Sequence, residues 1–132
     1  MGHSLGAALA LRLAERTEAP YAAAFLAAGF FGRLGLPDYD PINASFFEDG
    51  IDWARARRGA DLWRSYAGDD DPYVPTNRSA EIAERVGGTM TIIEGGGHLN
   101  RETDFVEFAQ LASDIESFAA ARAGASTVRS VD

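Results

Sequence analysis

Hydrophobic positions recur with a helical period in two separate parts of the chain. Leu9 and Leu13 lie four residues apart in an alanine-rich segment, and this spacing predicts a helix over residues 5–17. A second helix is predicted after a proline, with Thr76 or Asn77 as its N-cap and a glycine pair at its end. Both segments have the length of ordinary helices in globular domains.

The C-terminal part of the chain predicts one more helix and a tail. Its apolar residues follow a helical spacing and are Phe108, Leu111, Ile115 and Phe118. Asp104 with Glu107 resembles a capping box that would open this helix. Residues 119–132 are rich in Ala, Ser and Gly without an apolar period, so we expect them to fray. The chain therefore divides into a partial domain, residues 1–120, and a flexible tail, residues 121–132.

Short apolar runs between the helices predict strands. Residues 21–28 lie between a proline and a glycine, which favours a strand over the alternative of a helical turn, and residues 61–67 end at a glycine. Residues 89–93 have the highest β-branched content of the chain. Residues 29–59 are irregular, with a helical piece near residues 53–58. Alternation of strands and helices predicts an α/β fold, in which a parallel sheet carries helices on both faces.

Composition narrows the classes of function. The 132 residues include 12 Lys and Arg against 20 Asp and Glu, a formal net charge of −8. This charge argues against nucleic acid and against anionic membranes as partners. The chain has no cysteine and two histidines, so we expect no disulfide, no metal site and no cofactor. Without a long apolar run or a visible signal peptide, the expected location is the cytoplasm.

The first residues of the chain carry the pattern G-x-S-x-G, formed by Gly2, Ser4 and Gly6. This pattern is typical of a sharp turn from a strand into a helix that exposes the serine hydroxyl above a sheet edge. The glycines would keep side chains from colliding in the turn. The backbone N–H of Leu5 would then point at a developing oxyanion. The alternative is a flexible leader, but the helix predicted directly afterwards favours the functional interpretation.

Two further candidates follow predicted strands. Asp71 comes after the strand at residues 61–67, where an open α/β sheet binds its ligands, whereas Asp69 and Asp70 are interpreted as a solvated turn. His98 ends a run of three glycines after the strongest strand. The other histidine, His3, is interpreted as packing beside the serine turn. The order serine, aspartate, histidine is the one expected for α/β-hydrolases, and it predicts Ser4 as nucleophile, His98 as base and Asp71 as its orienting acid.

These stretches resemble the small serine hydrolases that include the retinoblastoma-binding serine hydrolases and related bacterial esterase-like proteins. The matching segments lie at residues 2–7, 52–53, 71–75 and 95–100. The resemblance implies an α/β-hydrolase fold with little or no lid, and activity on small acyl esters or amides. It places Ser4, Asp71 and His98 at the triad positions.

The chain departs from the family pattern at its start, because only three residues precede Ser4. The family's opening strand, the loop with the second oxyanion donor and most of the strand that enters the serine turn are absent. We therefore expect the N-terminal strands of the sheet to be missing from this sequence, either because the true start lies upstream or because the chain is a truncated product.

The function predicted from the sequence is a serine hydrolase that cleaves a small-molecule acyl substrate through an acyl-enzyme. Two alternatives stay open: a non-catalytic hydrolase-like or interaction domain, and acyl transfer to an acceptor other than water. Several aromatic residues in the irregular segment are interpreted as packing rather than as an acyl pocket; they are Phe30, Phe31, Phe46, Phe47 and Trp53.

Overall fold

The protein's structure, a computed structural model, describes residues 1–129 and the side chains of residues 1–125. Its described part contains a four-stranded sheet in which every neighbouring pair is parallel. The strands, which lie side by side in chain order, are β1 (Gly2–His3), β2 (Ala24–Ala27), β3 (Trp63–Gly68) and β4 (Thr89–Ile93). Because all four run in one direction, the segments that follow them meet at a single edge of the sheet.

Helices connect and cover these strands. They are α1 (Leu5–Arg16), α2 (Asp40–Asn43), α3 (Trp53–Arg58), α4 (Thr76–Val86) and α5 (Ala109–Arg129). Single turns of 3₁₀-helix follow α2 at Ala44–Phe46 and precede α5 at Arg101–Thr103. The segment between β2 and α3 is the irregular one that the sequence predicted, and it contains α2.

The core lies on both faces of the sheet because successive side chains of a strand point to opposite sides. Leu26 of β2 packs with Leu11 and Ile82 in a buried cluster under α1 and α4. Its neighbour Phe25 belongs to a second cluster that includes Leu111 of α5. The parallel sheet with helices on both faces, predicted from the alternating pattern, is thereby confirmed.

A partly buried polar cluster fastens α5 to the sheet. The Tyr66 hydroxyl donates to Asp114 Oδ2 at 2.7 Å, and Arg64 Nη1 lies 3.1 Å from Asp114 Oδ1. The hydrogen bond from Tyr66 lowers the pKa of Asp114 below its ordinary value, although burial opposes this shift. Burial, followed by the neighbouring carboxylate, raises the pKa of Tyr66. The cluster therefore favours a neutral phenol beside an ionised carboxylate.

The structure corrects two predicted helix starts. Asp104 does not cap α5: it has a left-handed φ of 59° and ends the 3₁₀ turn, and the helix begins five residues later. The intervening aromatic residues explain this, because Phe105 and Phe108 pack edge to face with ring centroids 5.0 Å apart. In α4, Pro75 occupies the N-cap position and no side chain caps the helix, so neither Thr76 nor Asn77 has the predicted role.

The predicted flexible tail, residues 121–132, is helical as far as it is described. Helix α5 continues to Arg129, and residues 130–132 lie outside the described residues. Alanine, frequent in this stretch, is the strongest helix former, which accounts for a helix without an apolar stripe. The boundary between domain and tail at residue 120 stays a prediction.

Candidate active site

Ser4 occupies a strained turn between β1 and α1. Its backbone has φ 53° and ψ −121°, a conformation that residues other than glycine adopt at a cost of about 1–3 kcal/mol. The Ser4 N–H donates to the carbonyl oxygen of Ala27 at 2.8 Å, which ties the turn to the end of β2. A strained serine between a strand and a helix is the geometry that the G-x-S-x-G pattern predicts.

The two glycines of the motif differ in their surroundings. A Cβ added to Gly2 would lie 2.3 Å from the carbonyl oxygen of Gly6, so the turn requires glycine at position 2. A Cβ added to Gly6 would meet nothing within 4 Å among the described residues. The collision that was predicted to require glycine at position 6 is therefore not seen. Leu5 is the first residue of α1, where a backbone N–H has no intrahelical acceptor and the helix dipole is positive.

Asp71 is held in a turn just beyond the end of β3. Its Oδ1 accepts the backbone N–H groups of Tyr73 at 2.8 Å and Val74 at 3.0 Å, and its side chain is 1% exposed. These two donors fix the orientation of the carboxylate and leave Oδ2 for another partner.

That partner is His98, whose Nδ1 lies 2.8 Å from Asp71 Oδ2. The imidazole side chain is 9% exposed. Because a carboxylate oxygen accepts hydrogen bonds, this contact favours the tautomer with the hydrogen on Nδ1, which leaves the lone pair on Nε2. The structure therefore joins two of the three residues that the sequence singled out, although they are 27 positions apart in the chain.

Glycine allows the loop that carries His98 to cross closely over the end of β3. A Cβ added to Gly68 would lie 2.1 Å from the carbonyl oxygen of Gly97. Gly97 itself has a φ of 52°, and a Cβ there would lie 2.4 Å from the Cβ of Thr103. The run of glycines thus brings the histidine from the end of β4 across its neighbouring strand.

Two aspartates interpreted as a solvated turn in fact anchor this loop. Asp70 Oδ1 accepts the Gly97 N–H at 2.7 Å, and Asp69 Oδ1 accepts the Gly95 N–H at 2.8 Å. Both side chains lie at the surface, as the solvated-turn interpretation expects, but each has a specific partner. The sequence offered a signal for these contacts, because the parallel neighbours β3 and β4 end at the same edge of the sheet. Carboxylates that follow β3 can therefore meet backbone N–H groups that follow β4.

A cavity of about 280 Å³ opens beside these residues. Ser4 and His98 both line it, but no hydrogen bond joins Ser4 Oγ to His98 within residues 1–125. In unliganded sites such bonds are often long and shorten only when substrate binds. Its other lining residues are His3, Phe30, Leu34, Leu36, Tyr39, Asn43, Tyr73, Asn100 and Glu102. Of the aromatic residues interpreted as packing, Phe30 lines the cavity, whereas Phe31 packs against both Phe47 and Trp53.

Asp40 shapes the wall of the cavity that the segment after β2 contributes. This residue is buried, and its two carboxylate oxygens accept the backbone N–H groups of Leu34 at 2.9 Å and Gly35 at 2.8 Å. The hydrogen bond from Leu34 is the main cause that lowers the pKa of Asp40, and burial opposes it. From outside the segment, Arg12 of α1 donates to the carbonyl oxygen of Phe46 at 2.8 Å. Sequence reasoning missed Asp40 because its role depends on how the irregular segment folds back on itself.

The described residues form neither a metal site nor a membrane-spanning helix. No group of three or more His, Cys, Asp or Glu side chains within them could hold a metal ion. No helix in that part of the chain is long and apolar enough to cross a membrane. The cytoplasmic location stays a prediction.

A parallel sheet covered on both faces, with a serine at the strained turn from a strand into a helix, defines an α/β-hydrolase fold. Comparison with protein families gives the particular group: the model of the serine hydrolase family matches residues 1–117. The chain belongs to this family, which confirms the family predicted from the motifs.

A solved structure supports the same fold. The crystal structure of the ydeN gene product from B. subtilis matches with a TM-score of 0.80 at 22% sequence identity. The match covers 89% of this chain and 63% of that chain. The chain thus spans less than two thirds of the length of that relative, and at this identity the likeness shows the fold alone.

Proposed function

We propose that this serine hydrolase cleaves small carboxylic esters, and amides more slowly, through an acyl-enzyme formed on Ser4. The observation that carries the proposal is the 2.8 Å contact between His98 Nδ1 and Asp71 Oδ2 beside the cavity that Ser4 lines. Membership of the serine hydrolase family supports it.

In the proposed reaction the Ser4 oxygen attacks the acyl carbonyl while His98 Nε2 takes the serine proton. The carbonyl oxygen becomes an oxyanion that the N–H of Leu5, at the positive end of α1, stabilises. The charged imidazole then protonates the leaving alcohol, and Asp71 stabilises that charge from the far side of the ring. In the second half, His98 takes a proton from water, whose oxygen attacks the acyl carbon, and then gives that proton to the Ser4 oxygen as the bond to the acyl group breaks and the carboxylic acid leaves.

The size and lining of the cavity support a small acyl group. Its volume, about 280 Å³, lies just below the range of roughly 300–1,000 Å³ typical of sites for drug-sized ligands. Phe30, Leu34 and Leu36 give it an apolar wall, which suits a short aliphatic or aromatic acyl chain. We therefore expect acetyl and butyryl esters to react faster than long-chain esters.

Labelling with a fluorophosphonate tests the proposal, because this probe reacts only with an activated serine. The purified chain should label, and Ser4→Ala should abolish labelling. Asp71→Asn is the sharper variant: its remaining oxygen can still accept from Tyr73 and Val74, while its NH₂ group faces His98 Nδ1 and disfavours the required tautomer. The labelling rate should fall by about 10³–10⁴-fold in that variant. A chain that unfolds cooperatively but does not label would overturn the proposal.

A second candidate function is a non-catalytic interaction domain. The observation that favours it is on α1, where Leu9 and Leu13 are 48% and 50% exposed, one turn apart on the same helix. Adjacent exposed leucines offer apolar surface to a partner. The labelling experiment separates the candidates, since an interaction domain needs no reactive Ser4.

A further inference from the structure

His3 links the serine turn directly to the loop of His98. It is the last residue of β1 and the residue before Ser4. Its Nε2 lies 2.8 Å from the backbone carbonyl oxygen of His98, 95 positions away in the chain. The two imidazole rings also meet edge to face, with centroids 4.9 Å apart and planes at 67°.

The chemistry of this contact fixes the direction of the hydrogen bond. A backbone carbonyl oxygen can only accept, so Nε2 of His3 must carry the hydrogen. His3, the residue before the nucleophile, is therefore the donor, and the backbone of His98, the candidate base, is the acceptor. It does not depend on the side chain of His98, whose own Nδ1 is bonded to Asp71.

The remaining contacts show why this bond matters for geometry. The Tyr73 ring also packs edge to face against the His98 ring, with centroids 5.1 Å apart and planes at 76°. Asp71 fixes the direction of the ring, and Asp70 holds the preceding Gly97. Those three residues follow β3, so they position His98 relative to β3. The contacts with His3, in turn, position His98 relative to the residue that precedes the nucleophile.

We propose that His3 is a positioning residue, which sets the separation between Ser4 and His98 by donating from Nε2 to the His98 carbonyl. The inference rests on the proposed serine hydrolase function. Because no hydrogen bond joins the Ser4 and His98 side chains among the described residues, this separation decides how readily the proton transfers. A displacement of about 1 Å in such a pair lowers a rate by as much as 10²-fold.

Four variants of the whole chain separate the donor from the ring. His3→Gln places an amide N–H near the position of Nε2, whereas His3→Asn carries the same group on a shorter side chain that does not reach. His3→Phe keeps an aromatic ring without a donor, and Ser4→Ala reports background. For each variant, the fluorophosphonate labelling rate and kcat and KM for p-nitrophenyl acetate are measured, with thermal unfolding as a check on folding.

We expect His3→Phe and His3→Asn to lose roughly 10- to 100-fold in labelling rate and kcat, with KM little changed, whereas His3→Gln stays within about threefold of wild type. Equal losses in His3→Gln and His3→Asn would overturn the inference, because the donor would then be irrelevant, and so would wild-type rates in His3→Phe. If His3→Phe fails to fold, the comparison of Gln with Asn decides alone. Failure of the wild-type chain to label is a different result, which overturns the proposed function itself.

Discussion

Asp70 accepts a hydrogen bond from the backbone N–H of Gly97 at 2.7 Å, so the segment after β3 holds the loop that carries the candidate base. The next residue, Asp71, is hydrogen-bonded to the side chain of His98, the residue after Gly97. Two consecutive carboxylates therefore bind two consecutive residues of the loop, one through its backbone and one through its side chain. This pairing makes the position of His98 sensitive to a residue that does not touch it.

Replacing Asp70 with alanine should weaken the site without unfolding the protein. A hydrogen bond to a charged group contributes about 1.5–3 kcal/mol, and its loss lets the loop move. We expect the fluorophosphonate labelling rate of Ser4 to fall roughly tenfold, with a melting temperature lowered by several degrees and cooperative unfolding retained. Asp69→Ala is the matched control, since its partner Gly95 lies three residues from His98 and the loss should be smaller. Equal rates in wild type and Asp70→Ala would contradict the prediction.

The two glycines of the serine motif should respond differently to alanine. Gly2→Ala brings a methyl group against the carbonyl oxygen of Gly6, and overpacking of this kind costs about 1–3 kcal/mol or more. Gly6→Ala meets nothing and gains helix propensity, so the free energy of unfolding should stay the same or rise by up to about 1 kcal/mol. Urea unfolding of both variants measures the difference. Similar destabilisation by the two substitutions would show that the turn is built differently.

Asp40→Asn should change substrate binding more than chemistry. The substitution replaces one carboxylate oxygen with an NH₂ group that faces a backbone N–H of Leu34 or Gly35, so one hydrogen bond is lost. The wall of the cavity then loosens, and we expect KM for p-nitrophenyl butyrate to rise severalfold, by up to about tenfold, with kcat little altered. Asp38→Asn is the control, because Asp38 lies exposed in the same segment. A fall in kcat with unchanged KM would refute the role assigned to Asp40.

The Tyr66–Asp114 hydrogen bond predicts a pH-dependent stability. Because the folded pKa of Asp114 lies below its unfolded value, its contribution is present above about pH 4 and is lost as the pH falls through the folded pKa. Tyr66→Phe removes the main cause of this shift and should cost about 1.5–3 kcal/mol at pH 7, and less in acid. Urea unfolding of wild type and Tyr66→Phe at pH 7 and pH 3 tests this. An equal loss at both pH values would exclude the linkage.

The raised pKa of Tyr66 makes the opposite prediction in alkali. The folded state favours the neutral phenol, so the contribution of Tyr66 is present below its unfolded pKa of about 10 and declines as the pH rises above that value. Tyr66→Phe serves as the control, because it lacks the ionisable group.

Regular elements were predictable where local pattern and tertiary structure agree. The strand Thr89–Ile93 lies where its β-branched residues predict it, and α1 begins at Leu5 as its leucine spacing predicts. The start of α5 was not predictable from Asp104 and Glu107, because tertiary contacts of Phe105 and Phe108 keep the preceding segment out of the helix. A local capping pattern contains no information about such packing.

The candidate site also has a part that the sequence predicts and a part that it does not. Ser4, Asp71 and His98 each follow a strand, so their order along the chain predicts that they share one edge of the sheet. The supporting contacts of His3 and Asp40 could not be predicted, because one spans 95 residues and the other depends on an irregular segment. Their residue types alone are equally compatible with packing or with an exposed surface.

The loop that carries His98 follows β4 and crosses the end of β3. The reactivity of Ser4 therefore depends on whether β4, the outermost described strand, stays paired. No residue of β4 is buried, so its pairing is a natural place for partial unfolding to begin. When β4 detaches, His98 leaves with it, while α1 and the core beneath Leu11 can stay folded. Mild denaturant should therefore abolish the labelling of Ser4 before circular dichroism shows a loss of helix. Labelling of the serine would then report whether the fold unfolds in one step.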